Sequence, residues 1–407
     1  MTMNYNEAVE KLKTFNQEHV LRFYEELDED GKKELLSQIE RTDFTVIEQA
    51  AEGGKRGKIA PIKAMTLPEI EMGREHFERI GIEAVRAGKV GAVLLAGGMG
   101  TRLGSDAPKG MYDIGISRHV YIFQRVIENL MKVVSKSGNY IQLFVMTSEK
   151  NHDATVNFFR EHDYFGYDSG YIAFFMQDMA PAADYDGKVY MEAKDCIATS
   201  PNGNGGWFLS MKKSGLMELI EKRGIEWLNV FAVDNVLQSI ADPVFVGAVL
   251  EGGYSVGSKV IRKVSPDEKV GVMCTEDGRP SIVEYIELTD DMLTQKDENG
   301  EYAYNFGVIL NYLFKVDRLL GLLERKLPYH KSAKKIPYIN EKGEPVKPDE
   351  PNGYKYEQFI LDMIRMLDSC LPFEVLREKE FAPIKNKTGV DSVESARELL
   401  KKNAIEL

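Results

Sequence analysis

Cysteine is scarce in this chain: Cys196, Cys274 and Cys370 are the whole supply in 407 residues. Three scattered thiols form neither a disulfide frame nor a cysteine-based zinc site. The six histidines show no metal-ligand spacing, so each reads as a surface or core residue rather than a ligand or a base. No nucleophile elbow occurs. Positive charge is also in deficit, 52 lysines and arginines against 64 acidic residues, a net charge of −12. Nucleic acid favours a basic face, so this balance argues against such a partner. No apolar run approaches a membrane span, and Met1-Thr2-Met3-Asn4-Tyr5-Asn6-Glu7 is not a secretory leader. Internal repeats and low-complexity tracts are missing. The expectation is a cytoplasmic protein with neither membrane nor nucleic acid as partner.

What remains is an ordinary globular composition, 43% hydrophobic and 29% charged. The length suits one large α/β domain with an accessory part, or two domains. From Asn6 to about Glu52 apolar residues recur at helical spacing (Leu12, Phe15, Val20-Leu21, Phe23-Tyr24, Leu27, Leu35-Leu36, Ile39, Phe44), predicting two or three amphipathic helices. A Gly-, Lys- and Pro-rich link from Gly53 to Pro68 and a short helix before Gly88 follow. From Lys89 strands and helices alternate, the pattern of an α/β domain. Val90–Leu94, Ile141–Ser148 and Leu228–Val233 read as buried strands. Met273 to Glu287 reads as an antiparallel insertion, Tyr354 to about Cys370 as a helix, and Phe373–Leu376 as a strand. The expected division is a helical segment over 1–88, a catalytic domain over 89–390 and a tail over 391–407.

The first predicted strand breaks into Leu95-Ala96-Gly97-Gly98-Met99-Gly100-Thr101-Arg102-Leu103-Gly104, with Pro108-Lys109-Gly110 behind it. Four glycines in eight residues turn the chain sharply and bring bare backbone close to something. Backbone N–H groups in such a loop, and at the start of a following helix, attract anions. Arg102 contributes a fork for paired oxygens and Lys109 a point charge. The spacing fits neither the dinucleotide fingerprint nor the P-loop. A glycine-rich turn needed only for packing is the plain alternative. In a chain this acidic, a phosphate site must be a local concentration of cations, which sets Arg102 and Lys109 apart from solubilising charge.

This loop, continuing Pro108-Lys109-Gly110-Met111-Tyr112-Asp113, resembles that of the UDP-sugar pyrophosphorylases, most closely the eukaryotic-type UDP-N-acetylhexosamine enzymes. Gln17–Phe23 resembles the family's N-terminal helical segment. The resemblance implies a GT-A-like (Rossmann-like) nucleotidyltransferase core with a mixed, mostly parallel sheet, in which UTP and a sugar 1-phosphate give a UDP-sugar and pyrophosphate with Mg²⁺ (or Mn²⁺). Leu95, Ala96, Gly97 and Gly98 would then meet UTP, and Arg102, Lys109 and Lys385 would be catalytic.

Further motifs carry the resemblance along the chain. Pro201-Asn202-Gly203-Asn204-Gly205-Gly206 is similar to a loop that holds uracil and sugar, though Asn and Gly also make plain turns. It implies Gly203 on the uridine and Asn204 on the sugar. Gln177, after Phe174-Phe175-Met176, matches a glutamine that reads the uracil edge; satisfying buried backbone is the other use of such a residue. Asp234 in Val233-Asp234-Asn235 matches a metal and sugar-phosphate ligand, and a helix cap is its alternative. Glu284 and Tyr285 match a Val-Glu-Tyr sugar element, and Asn305 a sugar contact. Lys355 and Lys385 stand where the family has phosphate-contacting lysines.

One departure concerns the sugar. The family's Phe-Asn-Ala-Gly-Asn is here Tyr304-Asn305-Phe306-Gly307-Val308, and Val308 offers no side-chain hydrogen bond to a hydroxyl. N-acetylglucosamine 1-phosphate is the leading acceptor, with glucose, galactose or N-acetylgalactosamine 1-phosphate as alternatives. The chain ends soon after Lys385, where the eukaryotic relatives carry a further domain, which leaves the oligomeric state open. Two rivals come from other classes. A silent sugar-nucleotide sensor would drop the cationic set, and a nicotinamide oxidoreductase would need the shorter glycine spacing.

Overall fold

The computed structural model describes residues 3–51 and 56–407, so Glu52 and the first residues of the expected link, Gly53 to Lys55, lie outside it. The chain divides into two compact units, and neither is continuous in sequence. The larger comprises 56–177, 207–325 and 363–407; the smaller takes its residues from 1–55, 178–206 and 326–362. The division expected at 88/89 and 390/391 follows the chain, whereas the compact units follow strand pairing between distant segments. Residues 391–407, expected as a tail, contain a helix, Val393–Lys402, whose Val393, Ala396 and Leu400 join the main core.

The larger unit is built on ten strands: β1 (Ile59–Pro61), β2 (Val90–Leu95), β3 (Gln142–Thr147), β4 (Ile172–Met176), β5 (Trp227–Ala232), β6 (Val256–Arg262), β7 (Val272–Glu276), β8 (Arg279–Val283), β9 (Phe306–Lys315) and β10 (Cys370–Glu374). Their order is β8-β7-β9-β5-β2-β3-β4, with β6 joining β9 to β10 and β1 added to β7. β5, β2, β3 and β4 are parallel neighbours, while β9 pairs antiparallel with β5 and β6. Every residue of β2 and β3 is buried, as parallel strands covered on both faces require. Helices Ile122–Ser137 and His152–Glu161 make the crossovers from β2 to β3 and from β3 to β4. This is the α/β architecture expected, and β7 and β8 are the expected antiparallel insertion.

Three expectations need correction. The short helix before Gly88 is a 20-residue helix, Leu67–Arg86, because Thr66 and Glu69 form a capping box and Pro68 sits in the first turn, where its missing N–H costs nothing. The helix expected from Tyr354 is instead a strand, Gly353–Glu357, followed by a short helix, Ile360–Arg365; paired tyrosines on an alternating segment favour the extended form. The strand expected at Phe373–Leu376 is β10, and it ends at Glu374.

In the smaller unit, helices Tyr5–Thr14, Glu29–Arg41 and Thr45–Gln49 match the amphipathic expectation. Leu12, Val20, Leu35, Ile39 and Phe44 pack with Val189, Met191 and Ile197 from the second segment. Four short strands, Ala50–Ala51, Tyr329–Lys334, Gly353–Glu357 and Ala183–Asp184, form its four-stranded sheet, beside two-stranded pairings in the same unit.

Candidate functional site

Strand order reverses at β2: β3 and β4 continue to one side of it, and β5 pairs on the other. Ligands of open α/β sheets bind outside the carboxyl ends of strands at such a reversal. Here the two strands end side by side, Leu95 opposite Ala232, and the Val233 N–H donates to the Leu95 carbonyl at 3.2 Å. The glycine loop leaves the end of β2, and Asp234 leaves the end of β5.

The loop is pinned from below. Asn151, fully buried after β3, donates its amide to the carbonyls of Ala96 at 2.9 Å and Gly98 at 3.4 Å. The Lys109 N–H also donates to Gly98, and the Gly100 N–H to Ala107, so the chain folds back and sets Lys109 beside the glycines. The Gly98 carbonyl is thereby occupied, and the N–H groups of Gly97 and Gly98 bond to nothing among the described residues. No α-helix starts directly behind the loop. Two single turns of 3₁₀ helix, Thr101–Leu103 and Lys109–Met111, follow instead, and the first α-helix begins at Ile122. Leu103 drops into the core and leaves Arg102 exposed, without a hydrogen-bond or ion-pair partner among the described residues. Gln177 follows β4, with its amide against Gly97: a Cβ there would lie 2.5 Å from the Gln177 Nε2.

Five charges gather at this point. Lys109 Nζ lies 3.6 Å from the Asp234 carboxylate, and both side chains are largely covered. Burial pushes the Lys109 ammonium below the usual lysine range; Arg102 and Lys385 add to that, and Asp234 opposes it. Lys385 is itself paired with Asp391 at 2.9 Å. Three cations facing two carboxylates hold a local positive excess in an acidic protein, which an anion of several charges would relieve.

The sugar candidates lie elsewhere in the same unit. Glu284 follows β8, and burial pushes its carboxyl above the usual range, Glu287 adding and Arg56 opposing. A Cβ on Gly271 would lie 3.3 Å from Val308 and 3.9 Å from the Glu284 carboxylate, so Glu284 and Val308 share one neighbourhood. Tyr285 is exposed. Asn305 faces differently: its side-chain oxygen accepts from the Lys263 N–H at 3.2 Å, and it lines a cavity of about 500 Å³ with Lys63, Arg262 and Phe306. No hydrogen bond or ion pair joins Asn305 to Glu284 or to the Lys109–Asp234 pair among the described residues.

In the smaller unit, Gly203 and Gly205 abut the backbone of Gln358 and Phe359, and the Asn204 side-chain oxygen accepts from the Ile360 N–H at 3.0 Å. Lys355 lies on the strand Gly353–Glu357, opposite Ser332.

Sequence reasoning passed over two residues. Asn151 carries no motif, and its one signal is an asparagine just after a strand. Asn235 was noted only as the neighbour of Asp234. It is buried, donates to the Glu380 carbonyl at 2.7 Å and accepts from the Ala382 N–H at 2.9 Å, which ties the Asp234 loop to the segment leading to Lys385. No group of three or more His, Cys, Asp or Glu side chains forms a metal cage among the described residues. A single carboxylate beside a phosphate-seeking cluster is the donor set of Mg²⁺ held jointly with substrate phosphates and water, so Asp234 fits that ion.

A family model described as UTP–glucose-1-phosphate uridylyltransferase matches residues 48–407. The UDP-N-acetylhexosamine pyrophosphorylase-like protein 1 of Homo sapiens is 36% identical over 418 residues, spanning 96% of this chain and 82% of its own. The UDP-N-acetylglucosamine pyrophosphorylase of Saccharomyces cerevisiae is 40% identical over 336 residues, spanning 79% and 70%. Among solved structures, the uridine diphosphate N-acetylglucosamine pyrophosphorylase of Trypanosoma brucei aligns with a TM-score of 0.82 at 29% identity, over 97% of this chain and 84% of that one. A match over this much of the chain, on a sheet whose strand order puts the glycine loop beside Asp234, shows that the chain belongs to the UTP–glucose-1-phosphate uridylyltransferase family.

Proposed function

We propose that this protein transfers the uridylyl group of UTP to a sugar 1-phosphate, releasing pyrophosphate, with N-acetylglucosamine 1-phosphate as the preferred acceptor. The observation that carries this reading is the cationic cluster at the strand reversal, beside a glycine loop whose Gly97 and Gly98 N–H groups have no partner among the described residues. A phosphate oxygen of the sugar 1-phosphate attacks the α-phosphorus of UTP, and the bond to the β-phosphate breaks in line. Such a transfer asks the protein for alignment and charge neutralisation rather than covalent help. Arg102 and Lys109 hold the triphosphate, and Lys385 exchanges Asp391 for the incoming phosphate. Gly98 and Gln177 select the base, Gln177 through an amide that both donates and accepts. Asp234 would hold Mg²⁺, which when bound neutralises phosphate charge. Glu284, Tyr285 and Asn305 take the sugar side, and the smaller unit's Gly203, Asn204 and Lys355 keep the uridine, sugar and phosphate roles that the resemblance implies. A cytoplasmic site of action goes with it, since both substrates are soluble phosphates.

A second reading changes only the acceptor. Val308, close to Glu284, removes a side-chain donor from that neighbourhood, which favours glucose or galactose 1-phosphate. Pyrophosphate release measured with UTP and a panel of sugar 1-phosphates decides both points. Fastest turnover with the N-acetyl sugar upholds the first reading, and a plain hexose ahead of it upholds the second. Silence across the panel overturns the activity.

A further inference from the structure

Lys259, on β6, is completely buried, which is rare for a lysine and unfavourable unless its charge is matched. Its ammonium lies 3.1 Å from each of the Asp242 and Glu380 carboxylates and donates to the Ser239 carbonyl at 3.1 Å. These partners belong to two segments distant in the chain: the loop that runs from Asp234 to the helix Pro243–Glu251, and the stretch from Glu380 to Lys385.

The same segments are laced together around the lysine. Glu380 gives one carboxylate oxygen to Lys259, the other to the Ser239 N–H at 2.7 Å, and its carbonyl to Asn235. The Ala382 N–H reaches Asn235, and the Ile384 N–H reaches the Asp234 carbonyl at 2.9 Å. Asp234 and Lys385 therefore sit at one end of a two-stranded lacing, and Lys259 closes the other. The carboxylates hold the ammonium charged against the pull of burial. Fold stability alone is a weak reason for such a group, since a buried ion pair is often matched or bettered by apolar residues of similar volume.

We infer that Lys259 is a positioning residue for uridylyl transfer, setting the separation of Asp234 and Lys385 through Asp242 and Glu380. This rests on the activity proposed above. Removing the lysine alone leaves two buried carboxylates unpaired and can unfold the protein. The informative variant is therefore the triple substitution Lys259→Met, Asp242→Asn, Glu380→Gln, which leaves no charge at any of the three positions, compared with Lys259→Arg.

The triple variant is expected to fold, by circular dichroism and thermal melting, and to keep its KM for UTP within about twofold, because the glycine loop lies outside the lacing. Its kcat should fall by roughly 10- to 100-fold, the cost of misplacing reacting groups by about an ångström, with a raised KM for the sugar 1-phosphate. Lys259→Arg should recover part of kcat. Amide hydrogen exchange should rise over residues 380–391 and stay unchanged over 96–104. A folded triple variant with parental kcat, or an equal rise in both KM values, overturns the inference. So does exchange that rises equally in both segments. The exchange result stands apart from turnover: if the parent protein is inactive with every sugar 1-phosphate, the activity fails, while unchanged exchange over 380–391 defeats the lacing itself.

Discussion

Two glycine-rich loops stand out in the sequence, and the structure treats Gly203 and Gly205 of one and Gly98 of the other in opposite ways. At Gly203 and Gly205 the space for a side chain is already filled: a Cβ would lie 2.4 Å from the Gln358 carbonyl oxygen at the first and 2.7 Å from the Phe359 backbone at the second. Gly203 also has φ of +86°, a conformation other residues adopt only with strain. At Gly98 a Cβ would meet nothing within 4 Å among the described residues, and φ is not positive. The protein's own packing explains Gly203 and Gly205, as it explains Gly97 against Gln177, and leaves Gly98 unexplained. A glycine that the fold does not need, beside unpaired N–H groups and three cations, is the stronger sign of a ligand. The two motifs look alike in the sequence, and only the structure separates them.

The comparison is sharpened most by Lys109→Ala. Turnover in the pyrophosphate assay should fall by roughly 10²–10³-fold, as when one preorganised charge contact to the transition state is lost. The melting temperature should move by no more than a few degrees, about what a 1 kcal/mol change produces in a chain of this size. Next, Gly203→Ala should cost about 1–3 kcal/mol in urea unfolding, the range for a strained backbone position. The companion change, Gly98→Ala, should leave the unfolding midpoint within roughly 0.5 kcal/mol of the parent while raising KM for UTP on the order of tenfold, the effect of overfilling a close contact by about 1.4 kcal/mol. If Gly98→Ala proves the destabilising one, the contrast collapses.

The smallest expected effect is at Glu284. Its folded-state pKa lies above the ordinary glutamate value, so its contribution to stability is full at acid pH and is lost as pH rises through the raised value. Glu284→Gln should therefore stabilise the protein near neutral pH. The gain should be under about 1 kcal/mol because the group is partly solvated, and it should close below about pH 4. A gap that widened on acidification would contradict the assigned burial.

Much of the sheet was legible because its parallel strands are unbroken apolar runs, and β2, β3 and β5 fall within a residue or so of their expected places. The long helix before Gly88 was legible in principle, since Thr66, Pro68 and Glu69 are a helix start, but the Gly- and Lys-rich residues ahead of it read as a link. Tyr354–Glu357 was misread because tyrosine and lysine suit either state over so short a stretch, and pairing with Tyr329–Lys334 decides it. For the site, glycine spacing and charge pointed to the loop, Arg102 and Lys109. Asn151, Asn235 and Lys259 were beyond reach, because each acts on segments that only folding brings near.

The smaller unit's division into three chain segments has a consequence for how the protein is made. Its amphipathic helices leave the ribosome early, yet Val189, Met191 and Ile197, which cover their apolar faces, follow much later. At about 5–20 residues per second the helices wait on the order of ten seconds or more for them. The sheet strands after Lys326 come later still. Throughout that interval Leu12, Leu35, Ile39 and Phe44 lack the residues that cover them in the folded unit, so the nascent chain carries exposed apolar surface, the condition that favours aggregation, until its second and third segments have been made.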